Sequence, residues 1–437
     1  MKKWLLLLLF LMPISVNASD ITSETSITIN GSNIDSRLLD KNYKTYGNIF
    51  GDDLIEVNGS NIAGIYIVYY SEVSTGTINN NDKELSVGDN NLIHEYIKLD
   101  NTNKFTLKFD ENVSISDIYI LSEGELPTFV QNWNTPYEEV DLLLLSTHGD
   151  DEQLFFLGLI PTYINKDIRV QVAYLAHHND FPRRIHEQLN GLWEIGVRNY
   201  PVFGVIPDAY SETLEGAISN LNKVGLDEEF VIKYQTELIR RFKPLVVVGH
   251  DELGEYSHGQ HILNTHALKT AVERSNDNTY YTDLEYDLWD VKKVYFHLYK
   301  DAQITMDYDT PLDKYNGETA YEVSKRGYKM HESQQWTWFT KWINGANNSY
   351  TKATEITKYS PLIYGLYKST VGDDVNKNDM FENITLRKDI KEEVKKTVKK
   401  VVNKIRKTSK KDYIIYISVS SIIAIIILIC ILNRKKR

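Results

Sequence analysis

The chain has 437 residues, a net charge of −11 and one cysteine, Cys430. The length favours more than one folded core, and a single cysteine excludes an internal disulfide. Basic residues are concentrated near the C-terminus, where residues 387–411 hold 12 lysines and arginines against three acids. The remainder is therefore strongly acidic, which argues against nucleic-acid binding by the body of the protein.

Residues 1–18 are typical of a secretory signal peptide. Lys2 and Lys3 precede an apolar stretch, and the small residues Val16 and Ala18 predict cleavage after Ala18. The alternative is an uncleaved membrane anchor, but the apolar stretch is short for a span. We therefore expect the body of the protein to be exported.

Residues 19–128 have the pattern of an all-β domain, because short runs of alternating apolar and polar residues are separated by Asn, Gly, Asp and Ser clusters. This spacing predicts a β-sandwich. The stretch LLDKNYKTYGNIFGDD (38–53) resembles the early loop of galactose-binding-like, discoidin-type domains, with Tyr46 at the usual tryptophan position. Two interpretations stay open: a carbohydrate-binding module, or a packing module without a ligand.

Residues 129–385 alternate apolar strands with helical stretches, which predicts an α/β domain. The fold that we expect is a mainly parallel, Rossmann-like sheet with helices on both faces. The strand VDLLLLST is followed by a predicted helix over residues 152–163. Ligand sites in such sheets lie beyond the carboxyl ends of the strands. The polar residues that follow these strands are therefore the candidate site residues.

Two polar clusters follow predicted strands. His148, Asp150 and Asp151 lie in STHGDDE, and His258 and His261 lie in GEYSHGQH. Side chains three residues apart can point towards one position at the start of a helix, and the two clusters can converge above one sheet. Histidine with carboxylate suits zinc, and a cation neutralises carboxylates that would otherwise repel each other. The sequence therefore predicts a metal site.

Together the clusters resemble the two signatures of the PIG-L/LmbE-like zinc-dependent de-N-acetylase family. The first, of the form AHPDDE, stands here as THGDDE (147–152), and the second, of the form GEYGHPDH, stands as GEYSHGQH (254–261). The resemblance covers roughly residues 138–380. Gly149 replaces a proline of the family pattern, and Gln260 replaces an aspartate. What these departures do to the turn and to the orientation of His258 stays open.

The resemblance implies a role for six residues. His258 would stabilise the oxyanion or assist the leaving amine, and Arg184 would contact the substrate. Asp150 would be the general base. The zinc ligands would be His148, Asp151 and His261.

Two further residues follow predicted strands at the same edge of the sheet. His178 comes after IRVQVAYLA, and Asp208 comes after PVFGVIP. Because the carboxyl ends of parallel strands share an edge, we expect both side chains to line a sugar pocket.

The C-terminal region has three predicted segments. Residues 386–412 have apolar residues at helical spacing among many lysines and predict a basic amphipathic stalk, either a solvated spacer or a contact with anionic lipid or wall polymer. Residues 413–432 are apolar and long enough to cross a bilayer, and residues 433–437 form a basic tail. We expect a single-pass protein of the cell membrane, with the body extracellular and the tail cytoplasmic.

The function that the sequence favours is zinc-dependent hydrolysis of N-acetyl groups on N-acetylglucosamine-type sugars of an extracellular glycan or glycoconjugate. One alternative is a carbohydrate-binding surface protein with a degenerate hydrolase domain. Another is a zinc hydrolase for a different amide. The expected partners are the N-acetylated sugar and the membrane; the sequence does not indicate an oligomeric state.

Overall fold

The computed structural model describes residues 17–81, 83–388 and 395–400. Those up to Glu382 belong to one compact unit. Except for Asn17 and Ala18, the predicted signal peptide lies outside the described residues, as do the predicted membrane span, the tail and most of the predicted stalk. Among the residues that are described, no helix is both long and apolar enough to cross a bilayer.

Eight antiparallel strands between residues 26 and 121 hydrogen-bond into a single sheet. Apolar residues alternate along them: Ile55 and Val57 are buried, and Glu56 between them is partly exposed, as the period of two requires. The β-sandwich and its ligand stay predictions. The strands are β1 (Ser26–Ile29), β2 (Ser32–Asn33), β3 (Gly47–Ile49), β4 (Ile55–Tyr69), β5 (Gly76–Asn80), β6 (Lys83–Val87), β7 (His94–Phe109) and β8 (Val113–Leu121). Their order is β2-β1-β4-β7-β5-β6, and β8 pairs with β3 and β4.

The second part of the unit is a mixed α/β structure. Its strands are β9 (Leu142–Ser146), β10 (Val170–Tyr174), β11 (Ala176–His177), β12 (Ile206–Pro207), β13 (Val246–Gly249), β14 (Lys293–His297), β15 (Gln303–Thr305) and β16 (Ile363–Ser369). Its helices are α1 (Leu159–Asn165), α2 (Pro182–Glu194), α3 (Leu214–Lys223), α4 (Glu228–Phe242), α5 (Gly259–Arg274), α6 (Ala320–Lys329) and α7 (Trp338–Asn344).

Six of these strands form one sheet in the order β10-β9-β13-β14-β16-β15. The first four run parallel, β16 pairs antiparallel with β14, and β15 pairs antiparallel with β16. A separate pair, β11 and β12, is also parallel. The structure thus contains the mainly parallel sheet that the sequence predicts.

Helices cover the central strands of this sheet. Leu143 and Leu145 of β9 and Val247 of β13 pack in one apolar cluster with residues of α3, α4 and α5. The alternate residues Leu142 and Leu144, whose side chains point to the opposite face, are also fully buried. Both faces of the central strands are therefore shielded from water, as expected for parallel strands.

The segment after β9 differs from its prediction. A helix is expected over residues 152–163, but residues 149–158 form consecutive turns and α1 begins only at Leu159. The Phe156 N–H bonds to the Asp151 carbonyl five residues back, which is wider than the α-helical spacing of four. Gly158 then has φ of +81° at the N-terminus of α1. The wide turns keep residues 148–151 together at the end of the strand.

A buried histidine pair joins the first sheet to α2. His94 Nε2 lies 2.8 Å from His186 Nδ1, and the Tyr66 hydroxyl lies 2.8 Å from His94 Nδ1. His186 Nε2 faces the Tyr70 carbonyl at 3.0 Å, so this nitrogen carries a proton. His94 then donates to His186, Tyr66 donates to His94, and both histidines are neutral. Since α2 also carries Arg184, this helix connects the first sheet to the candidate site.

Candidate active site

Three parallel strands end at the same edge of the second sheet. Ser146 of β9 lies opposite Tyr174 of β10, and Leu144 of β9 lies opposite Val248 of β13. The segments that follow these strands therefore meet at their carboxyl ends, where ligand sites form in such sheets. All eight predicted site residues lie at this edge. Each contacts at least one of the others, so that they form one connected group.

Three of them place one atom each in a nearly equilateral triangle. His148 Nδ1 lies 3.2 Å from Asp151 Oδ2 and 3.2 Å from His261 Nε2. Asp151 Oδ2 lies 3.2 Å from His261 Nε2. Tetrahedral zinc with bonds of about 2.0 Å separates its ligand atoms by about 3.3 Å. The donor set and its spacing therefore fit a zinc ion.

Two overlapping groups of side chains could also hold a metal, and both contain His261. In one of them, His250 has no spare ring nitrogen, because its Nε2 accepts the Thr147 N–H at 3.0 Å and its Nδ1 lies 2.9 Å from Glu255. In the other, His258 Nδ1 accepts the Gln260 N–H at 3.2 Å, and only its Nε2 remains. His250 is thus a support for the triangle rather than a ligand.

Glu255 orients the histidines of the second cluster, although the sequence analysis gave it no role. Its Oε2 lies 2.7 Å from His261 Nδ1, and its Oε1 lies 2.6 Å from His297 Nδ1. A carboxylate that accepts the Nδ1 proton leaves Nε2 of His261 available to a metal. Burial raises the pKa of Glu255, but His250 and the other histidines outweigh burial and hold this pKa well below its usual range.

The charges at the triangle favour a cation. Burial lowers the pKa of His261, but Asp151 and Glu255 outweigh it and raise the pKa to about 10. For His148, burial is likewise outweighed by Asp208 and Asp151, so its pKa is also raised. Two buried imidazoles that retain protons this strongly indicate a negative potential at the position that a metal would take.

Asp150 lies beside the triangle and supplies no atom to it. Its Oδ2 accepts from Arg184 Nη2 at 3.1 Å, and Arg184 Nη1 reaches Asp208 Oδ2 at 3.3 Å. Burial raises the pKa of Asp150, and Arg184 offsets part of this effect. The Arg184 Nε is buried without a partner among the described residues. A buried donor of this kind is available to an oxygen of a ligand.

Asp208 and His178 complete the wall next to Asp150. Asp208 Oδ1 lies 3.5 Å from His148 Nε2, and Asp208 Oδ2 lies 3.5 Å from His178 Nδ1. His178 Nε2 accepts the Gly149 N–H at 3.2 Å. A Cβ atom on Gly149 would approach Gln188 of α2 to 2.7 Å. The glycine that departs from the family pattern therefore allows the turn and α2 to pack closely.

Gln260, the second departure from the family pattern, fixes the tautomer of His148. Its Oε1 accepts the Ala209 N–H at 3.1 Å and lies 3.0 Å from His148 Nε2. Its Nε2 donates to the Pro207 carbonyl at 2.8 Å, so the oxygen is the atom that faces His148. His148 therefore donates from Nε2 and keeps its Nδ1 lone pair for the triangle.

The loop before α5 has a strained backbone. Gly254, Tyr256 and Ser257 have φ of +67°, +47° and +62°, and such strain in residues other than glycine is frequent at functional sites. The Tyr256 ring lies 5.4 Å from the His258 ring and 5.7 Å from the His261 ring. Sequence analysis did not select Tyr256, since a tyrosine inside a motif gives no sign of its backbone conformation.

Comparison with known proteins gives one curated relative. No model of a known protein family matches the chain. Over 177 residues, the chain is 39% identical to a 1D-myo-inositol 2-acetamido-2-deoxy-alpha-D-glucopyranoside deacetylase of Saccharopolyspora erythraea. The match covers 35% of this chain and 64% of the relative. The match thus spans less than two thirds of the length of that relative, which is named as a deacetylase.

Comparison with solved structures also returns two proteins that are named as deacetylases. The N,N'-diacetylchitobiose deacetylase of Pyrococcus horikoshii has 15% identity and a TM-score of 0.38, with 57% of this chain and 88% of that chain covered. The zinc-inhibited form of teicoplanin deacetylase Orf2 has 15% identity and a TM-score of 0.32, with 48% and 88% covered.

Proposed function

We propose that this protein is a zinc-dependent de-N-acetylase that acts on N-acetylglucosamine-type sugars of an extracellular glycan or glycoconjugate. The observation that carries the proposal is the triangle of His148 Nδ1, Asp151 Oδ2 and His261 Nε2, with the carboxylate of Asp150 beside it. The name of the S. erythraea relative, which describes a deacetylase of an acetamido sugar, supports the substrate class.

A zinc ion bound by the three triangle atoms would polarise the amide carbonyl and lower the pKa of water to roughly 7. Asp150 accepts a proton from the attacking water. Its carboxylate supplies no atom to the triangle, and burial raises its pKa, which favours acceptance of a proton. Arg184 holds Asp150 in place through the 3.1 Å contact at Nη2. Its Nε, which has no partner among the described residues, is available to an oxygen of the sugar.

His258 supplies a hydrogen-bond donor. Its Nδ1 accepts the Gln260 N–H, so the neutral ring carries its proton on Nε2. Burial, reinforced by His148 and His261, holds the pKa of His258 far below its usual range and keeps the ring neutral. The Nε2 proton can stabilise the oxyanion that develops during attack or pass to the leaving amine.

The surface location is part of the same proposal and rests on the sequence alone. Residues 1–18 would direct export, and residues 413–432 would retain the protein in the membrane with its body outside. Protease added to intact cells should then digest the body and leave the C-terminal tail protected. Full-length protein after such treatment, while a known surface protein is cut, would contradict this location.

A screen for released acetate tests the activity. The purified protein with zinc should release acetate from N-acetylglucosamine, N-acetylglucosaminyl-inositol or N,N'-diacetylchitobiose, and leave one free amine for each acetate. Acetate from N-acetylated amino acids but from no sugar would indicate a hydrolase of a different amide. Zinc binding without acetate from any substrate would indicate a carbohydrate-binding protein with a degenerate hydrolase domain.

A further inference from the structure

Two exposed tryptophans lie at the edge of the candidate site. Trp336 is 84% exposed and Trp338 is 46% exposed. The Trp338 ring contacts the Tyr256 ring at 5.6 Å, and Tyr256 in turn contacts His261. A single exposed apolar side chain needs no explanation, but a pair of tryptophans next to a polar site is typical of a ligand-binding surface.

The segment that carries these tryptophans is held rigidly by hydrogen bonds. Gln335 Nε2 donates to the Tyr328 carbonyl at 2.8 Å, and Thr337 Oγ1 donates to the Gln334 carbonyl at 2.7 Å. The Ser333 N–H donates at 2.8 Å to Glu187 of α2, the helix that also carries Arg184. The segment that carries the tryptophans is therefore held relative to the site before any ligand arrives, which reduces the entropy lost on binding.

Aromatic packing inside the protein also connects this segment to the site. The buried Phe155 ring lies 5.9 Å from Phe339 and 5.5 Å from Trp342, the neighbours of Trp338 on α7. Phe155 also contacts the rings of Tyr256 and His261 at 5.8 and 5.6 Å. A single buried side chain thus holds both the second cluster and the base of α7.

The opposite side of the site also has an exposed aromatic residue. Tyr210 is 60% exposed, and its ring lies 5.2 Å from that of His258. Asp208, two residues before Tyr210, is partly exposed, whereas Glu332 lies in the segment before the tryptophans and pairs with Lys44 and Arg183. The Asp208 carboxylate opposes anionic lipid and nucleic acid. A neutral sugar ring suits both features, since its C–H face packs on an aromatic ring and its hydroxyls bond to carboxylates.

We propose that Trp338, with Trp336, forms a subsite for the sugar unit next to the N-acetylated one, so that the preferred substrate is an oligosaccharide rather than a monosaccharide. This inference rests on the proposed function, since it extends the substrate of the same site. Trp338 is a binding residue in this account and takes no part in the chemical step.

The test compares acetate release from N-acetylglucosamine and N,N'-diacetylchitobiose in the full-length protein. Trp338→Ala should lower kcat/KM for the disaccharide about tenfold, the equivalent of one aromatic stacking contact, and leave that for the monosaccharide nearly unchanged. Trp338→Phe, which keeps an aromatic ring, should recover most of the loss. Tyr286→Ala is the matched control. Tyr286 is 38% exposed and precedes β14, so it lies before the amino end of that strand, whereas the candidate site lies at the carboxyl ends of the strands.

Equal losses on both sugars, or no loss on either, would overturn the subsite. A binding measurement separates this failure from failure of the proposed function. If the wild-type protein releases no acetate, calorimetric titration with N,N'-diacetylchitobiose decides: binding that Trp338→Ala weakens about tenfold supports the subsite. Binding that Trp338→Ala leaves unchanged, or no binding at all, contradicts it.

Discussion

Asp150→Asn separates the proposed general base from the proposed metal ligands. The amide has nearly the size of the carboxylate and can still accept from Arg184, but it cannot take a proton from water at neutral pH. Arg184 keeps its second partner, Asp208, at 3.3 Å, so the substitution leaves no unpaired buried charge. The protein should therefore fold and keep its triangle of ligand atoms.

The expected loss follows from the role of a single base. General-base catalysis contributes about 10²- to 10⁴-fold, which corresponds to about 3–5 kcal/mol of the activation barrier. Zinc content should stay the same, because Asp150 supplies no atom to the triangle. Acetate release and zinc content are measured on the same preparation, the first by coupled enzymatic detection and the second by elemental analysis.

Asp151→Asn is the matched partner. Asp151 Oδ2 lies 3.2 Å from both His148 Nδ1 and His261 Nε2, and it also accepts the His148 N–H at 2.8 Å. Its amide should bind zinc weakly, since it removes the charged oxygen of the ligand set. If Asp150→Asn loses zinc and Asp151→Asn keeps it, the two roles are exchanged. If Asp150→Asn keeps zinc and full activity, the proposed base is wrong.

Two further predictions concern the supports of the site. Glu255→Gln should weaken zinc binding by about 10- to 100-fold, because the neutral amide orients His261 less strongly. Competition with a chelator measures this. An equal effect of the control Glu252→Gln, at a partly exposed carboxylate that pairs with Lys269, would contradict it. Burial lowers the pKa of His186 to about 4, so the stability that depends on its neutral form is complete above pH 6.5 and is lost as the pH falls towards 4. Over that range the wild-type protein should lose about 3 kcal/mol more unfolding free energy than His186→Asn in urea titrations; equal losses in the two proteins would refute the neutral histidine pair.

The sequence predicted the residues at the edge of the sheet better than their arrangement. His148 and Asp151 follow a run of leucines, and His258 and His261 follow a later valine-rich strand, so both clusters were expected at the carboxyl ends of strands. That they meet depends on β9 and β13 being adjacent in the sheet. Residue spacing does not determine strand order, since a parallel connection can pass over another strand.

Other parts of the site depend on contacts that periodicity does not encode. Glu255 and Gln260 act through single atoms on His261 and His148, and only the structure shows which atoms these are. The turns at 149–158 replaced a predicted helix because burial and close packing against α2 override helical propensity. In the first sheet the alternation predicted strands, but it did not show how eight strands join.

The central claim is that a zinc ion held by His148, Asp151 and His261 is required for removal of acetyl groups from an N-acetylated sugar. The most direct test removes metal from the purified protein and measures acetate release from N-acetylglucosamine and N,N'-diacetylchitobiose before and after addition of one equivalent of zinc. The account predicts no release from the stripped protein, recovery with zinc, and no recovery in His261→Ala. Acetate release by the metal-free protein, or equal recovery in His261→Ala, would contradict it.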